Sequence, residues 1–546
     1  MATLGQYLIG ALEALGVGHV FGIPGVHNLE LYRALPGSRI RHVTGRHEQG
    51  LGFMADGYAR ASGRPGVCFT ITGPGLTNIA TAMGQAHQDS IPMLVISSQN
   101  RRGESEGGRG FLHELPGQLA IAREVAGLAR LISAPAELPE ALAQAFRLFA
   151  AGRPRPAYIE IPRDLLASRV SGLPLPEGSL RGRHRPVPAM APAARPAAGA
   201  AAAAALAAAV TALNAARRAV LLAGGGAIGA AAEVRRMAER LDAPVVMTVN
   251  GRGILPPGHP LAVPYSPSLA PVRALIAAAD VVLAVGTEIG PTDYDMYGLR
   301  AFPPPSRLLR IDIDAAQTQR NAVPTVGLTG DARATLEAIL AGELGAARRR
   351  SGSARAAAVR ARSAAALTRA MRAQIGFLEV IRENVPGALL VGDSTQPVYA
   401  GNLGFAAATP GSWFNSATGF GSLGYALPAA TGASLGAPER PVVCLVGDGG
   451  LQFTLGELGV PRDVGAWLAI VVWNNRGYSE IRASMLAARI EPCGVEVAPP
   501  DFALLARAYG YAHQRIGSLP ALRKACRKFA ARRQIVIFEV RAEAFE

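Results

Sequence analysis

Two stretches, Val446-Gly-Asp-Gly-Gly-Leu-Gln-Phe-Thr-Leu-Gly-Glu-Leu458 and, a short helix and strand later, Val471-Val-Trp-Asn-Asn-Arg-Gly-Tyr-Ser-Glu-Ile481, decide how this chain is read. In each, an apolar run (PVVCLV, then LAIVVW) breaks abruptly into small and polar residues. Such runs read as buried strands of a parallel sheet, and in such sheets ligands bind beyond the carboxyl ends of the strands. Asp448 follows its strand directly, and Gly447 and Gly449 let the backbone turn sharply and approach a ligand closely. Gly449 and Gly450 can turn their amides toward an anion. If the strand ending at Asn474 and Asn475 is adjacent, an Asp oxygen, an Asn oxygen and a loop carbonyl can converge on one point. Mg²⁺ takes about six oxygens and is usually completed by substrate phosphates and water. The pattern therefore calls for a cation together with a diphosphate. Gly-Asp-Gly alone would be an ordinary strand-end turn; paired with Asn-Asn at this spacing, it is more than that.

The rest of the 546 residues sets the frame. The length calls for several domains, and 49% apolar with 17% charged residues is the balance of a folded globular protein. No apolar run reaches the length of a membrane span. The opening MATLGQYLIGALEALGVGHVFGIPG lacks a basic leader and a cleavage site. Cys68, Cys444, Cys493 and Cys526 show no CxxC spacing, which points to reduced thiols and a cytoplasmic protein. The net charge of +15 is almost all dispersed arginine, with lysine only at Lys524 and Lys528. No nucleic-acid module accompanies it, so neither nucleic acid nor membrane is expected as a partner. Schiff-base chemistry is equally unexpected with so few lysines.

Two low-complexity stretches, around 171–205 and 345–365, divide the chain and look like linkers grading into the first helix of the next domain. Each block between them alternates β-branched strands with helical patterns, the mark of doubly wound parallel α/β sheets. Three consecutive α/β domains are expected: 1–170, 191–344 after a linker at 171–190, and 371–546 after a linker and helix at 345–370.

Gly447-Asp448-Gly449 through Asn474-Asn475 resembles the fingerprint of the thiamine-diphosphate (ThDP) enzymes, in particular the 2-oxo-acid decarboxylase and acetolactate synthase family. The likeness extends over Arg46-His-Glu-Gln-Gly-Leu-Gly-Phe-Met-Ala-Asp-Gly-Tyr-Ala-Arg60, Gly73-Pro-Gly-Leu-Thr-Asn78, Tyr158-Ile-Glu-Ile-Pro-Arg163 and Gly421-Ser-Leu-Gly-Tyr-Ala-Leu-Pro428, nearly the whole chain. It implies a pyrimidine-binding, a central and a diphosphate-binding domain, in a homodimer or homotetramer with the active site between subunits. It implies Asp448, Asn475 and the carbonyl of Gly477 as Mg²⁺ ligands and Glu48 as the carboxylate that activates the aminopyrimidine. Leu423 matches the apolar residue that props the cofactor in a V, with Gly421 at the pyrimidine edge. Pro24, Gly73, Asn78, Ser394, Thr395, Gln396, Gly449, Gly450 and Tyr478 complete the implied cofactor contacts. Gly419-Phe-Gly-Ser-Leu-Gly424 fits a dinucleotide fingerprint but lacks its preceding strand and acidic partner. Gly286-Thr-Glu-Ile-Gly-Pro-Thr-Asp-Tyr-Asp295 lacks the arginine-rich pattern of flavin-bearing acetolactate synthases, and no FAD is expected.

Members of the family divide by what traps the intermediate left after CO₂ departs: a proton in decarboxylases, a second carbonyl in carboligases. Phe111-Leu-His113-Glu114 lies where pyruvate-decarboxylase-like enzymes carry a histidine pair, and a histidine there can relay a proton near neutral pH. The Gln-Trp of acetolactate synthases beyond Asn-Asn is missing. Both departures favour decarboxylation. Val26 stands where pyruvate decarboxylases have an aspartate, and Glu480 falls one position before their active-site glutamate. That leaves His27, His113 and Glu480 as candidates for the proton relay. The segments FGIPGVHNLEL, FLHELPGQ, GTEIGPTDYDMY and GDSTQPVYAGN most resemble 5-guanidino-2-oxopentanoate (2-ketoarginine) decarboxylases. A guanidinium substrate wants carboxylates, and Glu114, Asp293, Asp295 and Glu480 are the candidates, with Glu104 and Glu106 on a Gly-rich loop. An acetolactate-synthase-like carboligase is the alternative, and a non-catalytic member of the fold the third reading; the intact Glu48, Asp448 and Asn475 speak against the last.

Overall fold

The computed structural model describes residues 1–104, 108–177, 199–294, 302–303, 305–345 and 351–545. Three six-stranded sheets follow one another along the chain, every strand pairing in them parallel. The N-terminal sheet runs Arg41–Thr44, His19–Gly22, Gly66–Thr70, Met93–Gln99, Ala157–Pro162, Leu128–Leu131 in spatial order. The C-terminal sheet runs Trp413–Asn415, Leu389–Gly392, Val442–Gly447, Leu468–Asn474, Ile535–Arg541, Ala512–Ile516. Numbered within its own domain, each has the same order, 2-1-3-4-6-5, so the two are topological copies. The central sheet instead runs from Ala262–Val263 through Val245–Met247, Val220–Ala223, Val282–Val285 and Leu308–Asp312 to Val326–Thr329. That order is 3-2-1-4-5-6.

The reason for parallel sheets lies in the strands themselves. Val442–Gly447 and Leu468–Asn474 are buried along their lengths and lose cover only at the last residue. A strand apolar on both faces needs helices on both sides. In each terminal sheet the first strand is flanked by the second and the third, so the chain leaves it in opposite directions. That reversal opens a crevice at the carboxyl ends, beyond Gly22 and Thr70 in one domain and beyond Gly392 and Gly447 in the other. In the central domain the equivalent place is filled. There Gly226 N–H donates to Gly286 O at 3.0 Å, and a Cβ on Gly226 would stand 2.9 Å from Gly286 Cα.

One apolar cluster joins the two terminal domains, with Phe53, Met54 and Leu51 from one packed with Tyr425, Leu427 and Ala429 from the other. Helix Glu48–Ser62 lies against helix Ala426–Gly436, and a Cβ on Gly57 or Gly432 would run into the Ala429 or Met54 carbonyl. Helix Gly352–Ala366 buries Ala356 and Val359 in the central domain beside Val272 and Ile276, rather than opening the C-terminal unit. Apart from 171–177, the 171–190 linker lies outside the described residues, as do Glu106 and Asp295. Among the described residues no helix is long and apolar enough to cross a membrane.

Candidate active site

Asp448 and Asn475 meet because their strands are neighbours: Val446 pairs with Val472 and Gly447 with Trp473. Asp448 is fully buried, and its carboxylate accepts the backbone N–H groups of Asn475 (3.3 Å) and Gly477 (3.1 Å). Burial raises its pKa, and these amides pull the other way. Gly477 has φ +144° and passes close against the Val495 carbonyl, a place for a residue without Cβ.

The orientation of the Asn475 amide follows from its neighbours. Trp473 Nε1, a donor only, bonds Gln396 Oε1 at 3.0 Å, so Gln396 presents an oxygen there. Asn475 Nδ2 donates to that same oxygen at 3.2 Å. Its Oδ1 is thereby turned inward, 2.8 Å from the Gly477 carbonyl oxygen and 3.0 Å from Asp448 Oδ1. Turning the amide over would satisfy those two acceptors and let Ser479 Oγ donate to Oδ1 at 3.1 Å, but would set Oδ1 against Gln396 Oε1, which the Trp473 N–H already fixes as an acceptor. In this orientation Asn475 Oδ1 faces two other oxygens, of Gly477 and Asp448, with no proton between. Ligands at roughly 2.0–2.1 Å around an octahedral Mg²⁺ stand about 2.8–3.0 Å apart along an edge, so the spacing fits such an ion. No group of three or more His, Cys, Asp or Glu that could hold a metal occurs among the described residues, so this triangle of carboxylate, amide and carbonyl is of another kind.

The neighbouring strand end supplies Asp393 to Gln396. Asp393 is fully buried and accepts the N–H groups of Ser394 (2.7 Å) and Ala426 (3.3 Å); burial pushes it up to about 6. Thr395 precedes helix Gln396–Gly404 without a side-chain capping bond, and its hydroxyl oxygen would lie 3.2 Å from a Cβ on Gly447. Gly449 and Gly450 open the next turn, with the Tyr478 ring against Gly449. Gly421 has φ +77° and open space where a Cβ would stand, and Leu423 beside it is half-buried.

The other crevice gathers the N-terminal candidates. Glu48 is the first residue of helix Glu48–Ser62, just past strand Arg41–Thr44, and Asn78 Nδ2 donates to its Oε2 at 2.9 Å. Gly73 has φ +65°, and its N–H donates to Gln118 Oε1 at 2.7 Å. Gln118 continues a buried chain through Tyr158 OH (2.9 Å) to Glu160 (3.0 Å). His113, itself at φ +61°, lies across Gly73 and stands edge-on to His27, ring centroids 5.0 Å apart. Burial, then the charges of Arg163 and His113, lower the His27 pKa, against the charge of Glu104. Its buried Nδ1 has no partner. Pro24 is exposed at the rim.

The acidic candidates separate. Glu114 folds back on its own loop, Oε2 accepting from Gly110 (2.8 Å) and Phe111 (3.0 Å), while Oε1 is buried without a partner. Asp293 is engaged in the central domain, where Oδ1 accepts the Val249 N–H at 3.1 Å and burial pushes the carboxyl up to about 6. Glu480 is exposed on the first turn of helix Ser479–Ala487. A residue not singled out from the sequence is Glu457, which is 1% exposed. Its Oε1 accepts the N–H groups of Arg46 (3.0 Å) and His47 (2.9 Å), fixing the turn that leads into Glu48. Its one outward sign is that it is the lone acid in the apolar and glycine-rich run from Gly449 to Val460.

Comparison with known proteins agrees with this geometry. Three family models match in order: "Thiamine pyrophosphate enzyme, N-terminal TPP binding domain" over residues 2–121, the central domain over 206–339 and the C-terminal TPP binding domain over 393–540. The chain belongs to the thiamine pyrophosphate enzyme family. It is 45% identical over 99% of its length to "Probable 2-ketoarginine decarboxylase AruI" of Pseudomonas aeruginosa, covering 94% of that protein. An acetolactate synthase of Arthrospira platensis is 31% identical over 92% of this chain and 88% of its own. The large subunit of acetolactate synthase isozyme 1 of Escherichia coli is 31% identical over 87% and 82%.

Proposed function

We propose that the protein is a Mg²⁺- and ThDP-dependent 2-oxo-acid decarboxylase, with 5-guanidino-2-oxopentanoate as substrate and 4-guanidinobutanal and CO₂ as products. The observation that carries the cofactor reading is the inward-facing triangle of Asp448, Asn475 and Gly477 oxygens, which a divalent cation completes. The relative at 45% identity supports the choice of acid.

When bound, ThDP supplies the carbon that attacks the 2-oxo group and takes up the electron pair left by CO₂. The protein's own groups do the rest. Asp448, Asn475 and Gly477 hold Mg²⁺ against the diphosphate, with Ser394, Thr395, Gln396, Gly449, Gly450 and Tyr478 around it. Glu48, steadied by Asn78, is the carboxylate at the pyrimidine, where Pro24, Gly73, Gly421 and Leu423 also contribute. Releasing CO₂ and an aldehyde from a 2-oxo carboxylate consumes one proton. His27 and His113, 5.0 Å apart, form the pair through which that proton is delivered. The partnerless Glu114 Oε1 beside His113 suits a guanidinium, with exposed Glu480 as a further acid at the rim.

The two crevices are brought together by a second copy of the chain. Val26, Leu29 and Leu112 at the N-terminal crevice and Phe453, Ile481 and Leu486 at the C-terminal one are each more than half exposed, an apolar rim that such pairing covers. Carboligation is the second reading, favoured by the relatives at 31% identity. Protein stripped by chelation should release CO₂ from 5-guanidino-2-oxopentanoate only when Mg²⁺ and ThDP are both restored. Turnover without them would end the proposal.

A further inference from the structure

Behind the two crevices lies a buried ionic cluster that the chemistry above does not use. Arg60 pairs through Nε with Asp56 Oδ1 and through Nη2 with Asp89 Oδ2, both at 2.7 Å, and the three side chains are 8%, 0% and 3% exposed. Its guanidinium also lies over the Phe414 ring, 5.3 Å from the centroid. Burying three charged groups is costly unless every partner is in place. Asp56 Oδ2 is buried without a partner, and of the further partners two, Tyr425 and Thr418, come from one loop. Asp56 Oδ1 accepts the Tyr425 hydroxyl, and Asp89 accepts Thr418 Oγ1 at 2.8 and 3.1 Å. Asp89 Oδ2 also accepts Gln85 Nε2 at 2.8 Å, while Gln85 Oε1 takes the Ser422 N–H at 3.3 Å. Phe420 lies across Gly84, where a Cβ would stand 2.6 Å from its ring. The central domain touches the same acid, Asn250 Nδ2 lying 3.4 Å from Asp89 Oδ1.

The loop is thus tied at residues 418, 420, 422 and 425, and between the ties stand Gly421 and Leu423. Both helices that provide the ties begin at the other crevice. Glu48 opens helix Glu48–Ser62, and Asn78 lies in the first turns of helix Pro74–Asp89.

We propose that the Asp56–Arg60–Asp89 triad, acting through Thr418, is a positioning device that holds Gly421 and Leu423 ready for the cofactor before it binds. The inference rests on the ThDP reading of that loop. A preorganised loop costs less to order on binding, so loosening it weakens affinity without removing a contact. Thr418 is the informative position, because its hydroxyl bond to a carboxylate can be removed without stranding the buried arginine.

The test is titration of ThDP into the full-length protein in saturating Mg²⁺, alongside the melting midpoint of the apo protein. Thr418→Val is expected to raise the ThDP Kd about tenfold or more, with the apo midpoint lowered by no more than the loss of one hydrogen bond to Asp89 accounts for. Thr418→Ser, which keeps the hydroxyl, is expected to restore it to within about twofold. Gln85→Met frees the Ser422 N–H and also removes a donor to Asp89, should weaken binding in the same direction, and decides the question if Thr418→Val does not fold. Wild-type affinity in both Thr418→Val and Gln85→Met would overturn the inference. Wild-type protein that fails to bind ThDP, or Asp448→Asn that binds it normally, would instead overturn the cofactor reading beneath it.

Discussion

The Asn78 amide donates to Oε2 of Glu48 at 2.9 Å, joining the starts of two helices that follow the strands on either side of His19–Gly22. Glu48 sits in the first turn of its helix, where His47 Nδ1 accepts the Gln49 N–H at 3.1 Å and so caps the end. Asn78 thus holds the carboxylate itself, and His47 the helix end that carries it. Glu48→Gln keeps shape and removes the titrating group, and CO₂ release is expected to fall by roughly 10²–10⁴-fold. Asn78→Ala should lower kcat by about tenfold, a loss of orientation alone. Steady-state kinetics of both variants checks the pair, and full turnover in Glu48→Gln would remove the carboxylate from the chemistry.

On the proposed reading of the oxygens at Asp448, cofactor stabilisation is expected to depend on the metal. A ligand that binds only the folded state at 100 times its Kd stabilises by about 2.7 kcal/mol. Wild-type protein should therefore melt higher with Mg²⁺ and ThDP together than with either alone. In Asp448→Asn that increment should vanish, while the apo melting midpoint stays near or above the wild-type value because a buried charge has gone.

Glu457 gives a pH signature. Burial, with the Glu48 charge adding to it, pushes Glu457 up to about 7 from an ordinary 4.5. A group raised in the folded state contributes fully below its unfolded value and loses that contribution as pH rises through the folded one. Wild-type stability should thus decline between about pH 4.5 and 7, by at most about 3 kcal/mol from this residue. Glu457→Gln lacks the slope, so its midpoint relative to wild type should climb from pH 5 to pH 8. Asp293 and Asp393, both near 6, slope the same way in both proteins and cancel in the difference.

The contact between the terminal domains tolerates no added atom at its centre. A Cβ on Gly57 would overlap the Ala429 carbonyl. Overpacking of a fitted core costs about 1–3 kcal/mol or more, so Gly57→Ala should lower the melting midpoint markedly. Gly10→Ala, on a helix with nothing within 4 Å of the new methyl, should not.

Much of this was legible before any coordinates. Val442–Gly447 and Leu468–Asn474 are unbroken apolar runs with polar ends, and a parallel sheet is what such runs form. The meeting of Asp448 with Asn475 needed only that the two strands be adjacent. What stayed hidden was set by contacts distant in sequence. Glu457 is one acid in a helical turn until Arg46 and His47, from the other terminal domain, place their N–H groups on it. Asp293 looked like a pocket acid because Gly286 to Asp295 is rich in polar residues, yet its carboxylate holds the Val249 backbone. Helix Gly352–Ala366 reads as a linker because alanine and arginine dominate it; two small residues on one face suffice to seat it on the central domain.

The central claim is tested most directly by offering the Mg²⁺- and ThDP-loaded protein 5-guanidino-2-oxopentanoate and pyruvate side by side and following both CO₂ and the carbon products. The account predicts a strong preference for the guanidino acid, with one free 4-guanidinobutanal for each CO₂. Preference for pyruvate with acetolactate accumulating would contradict it.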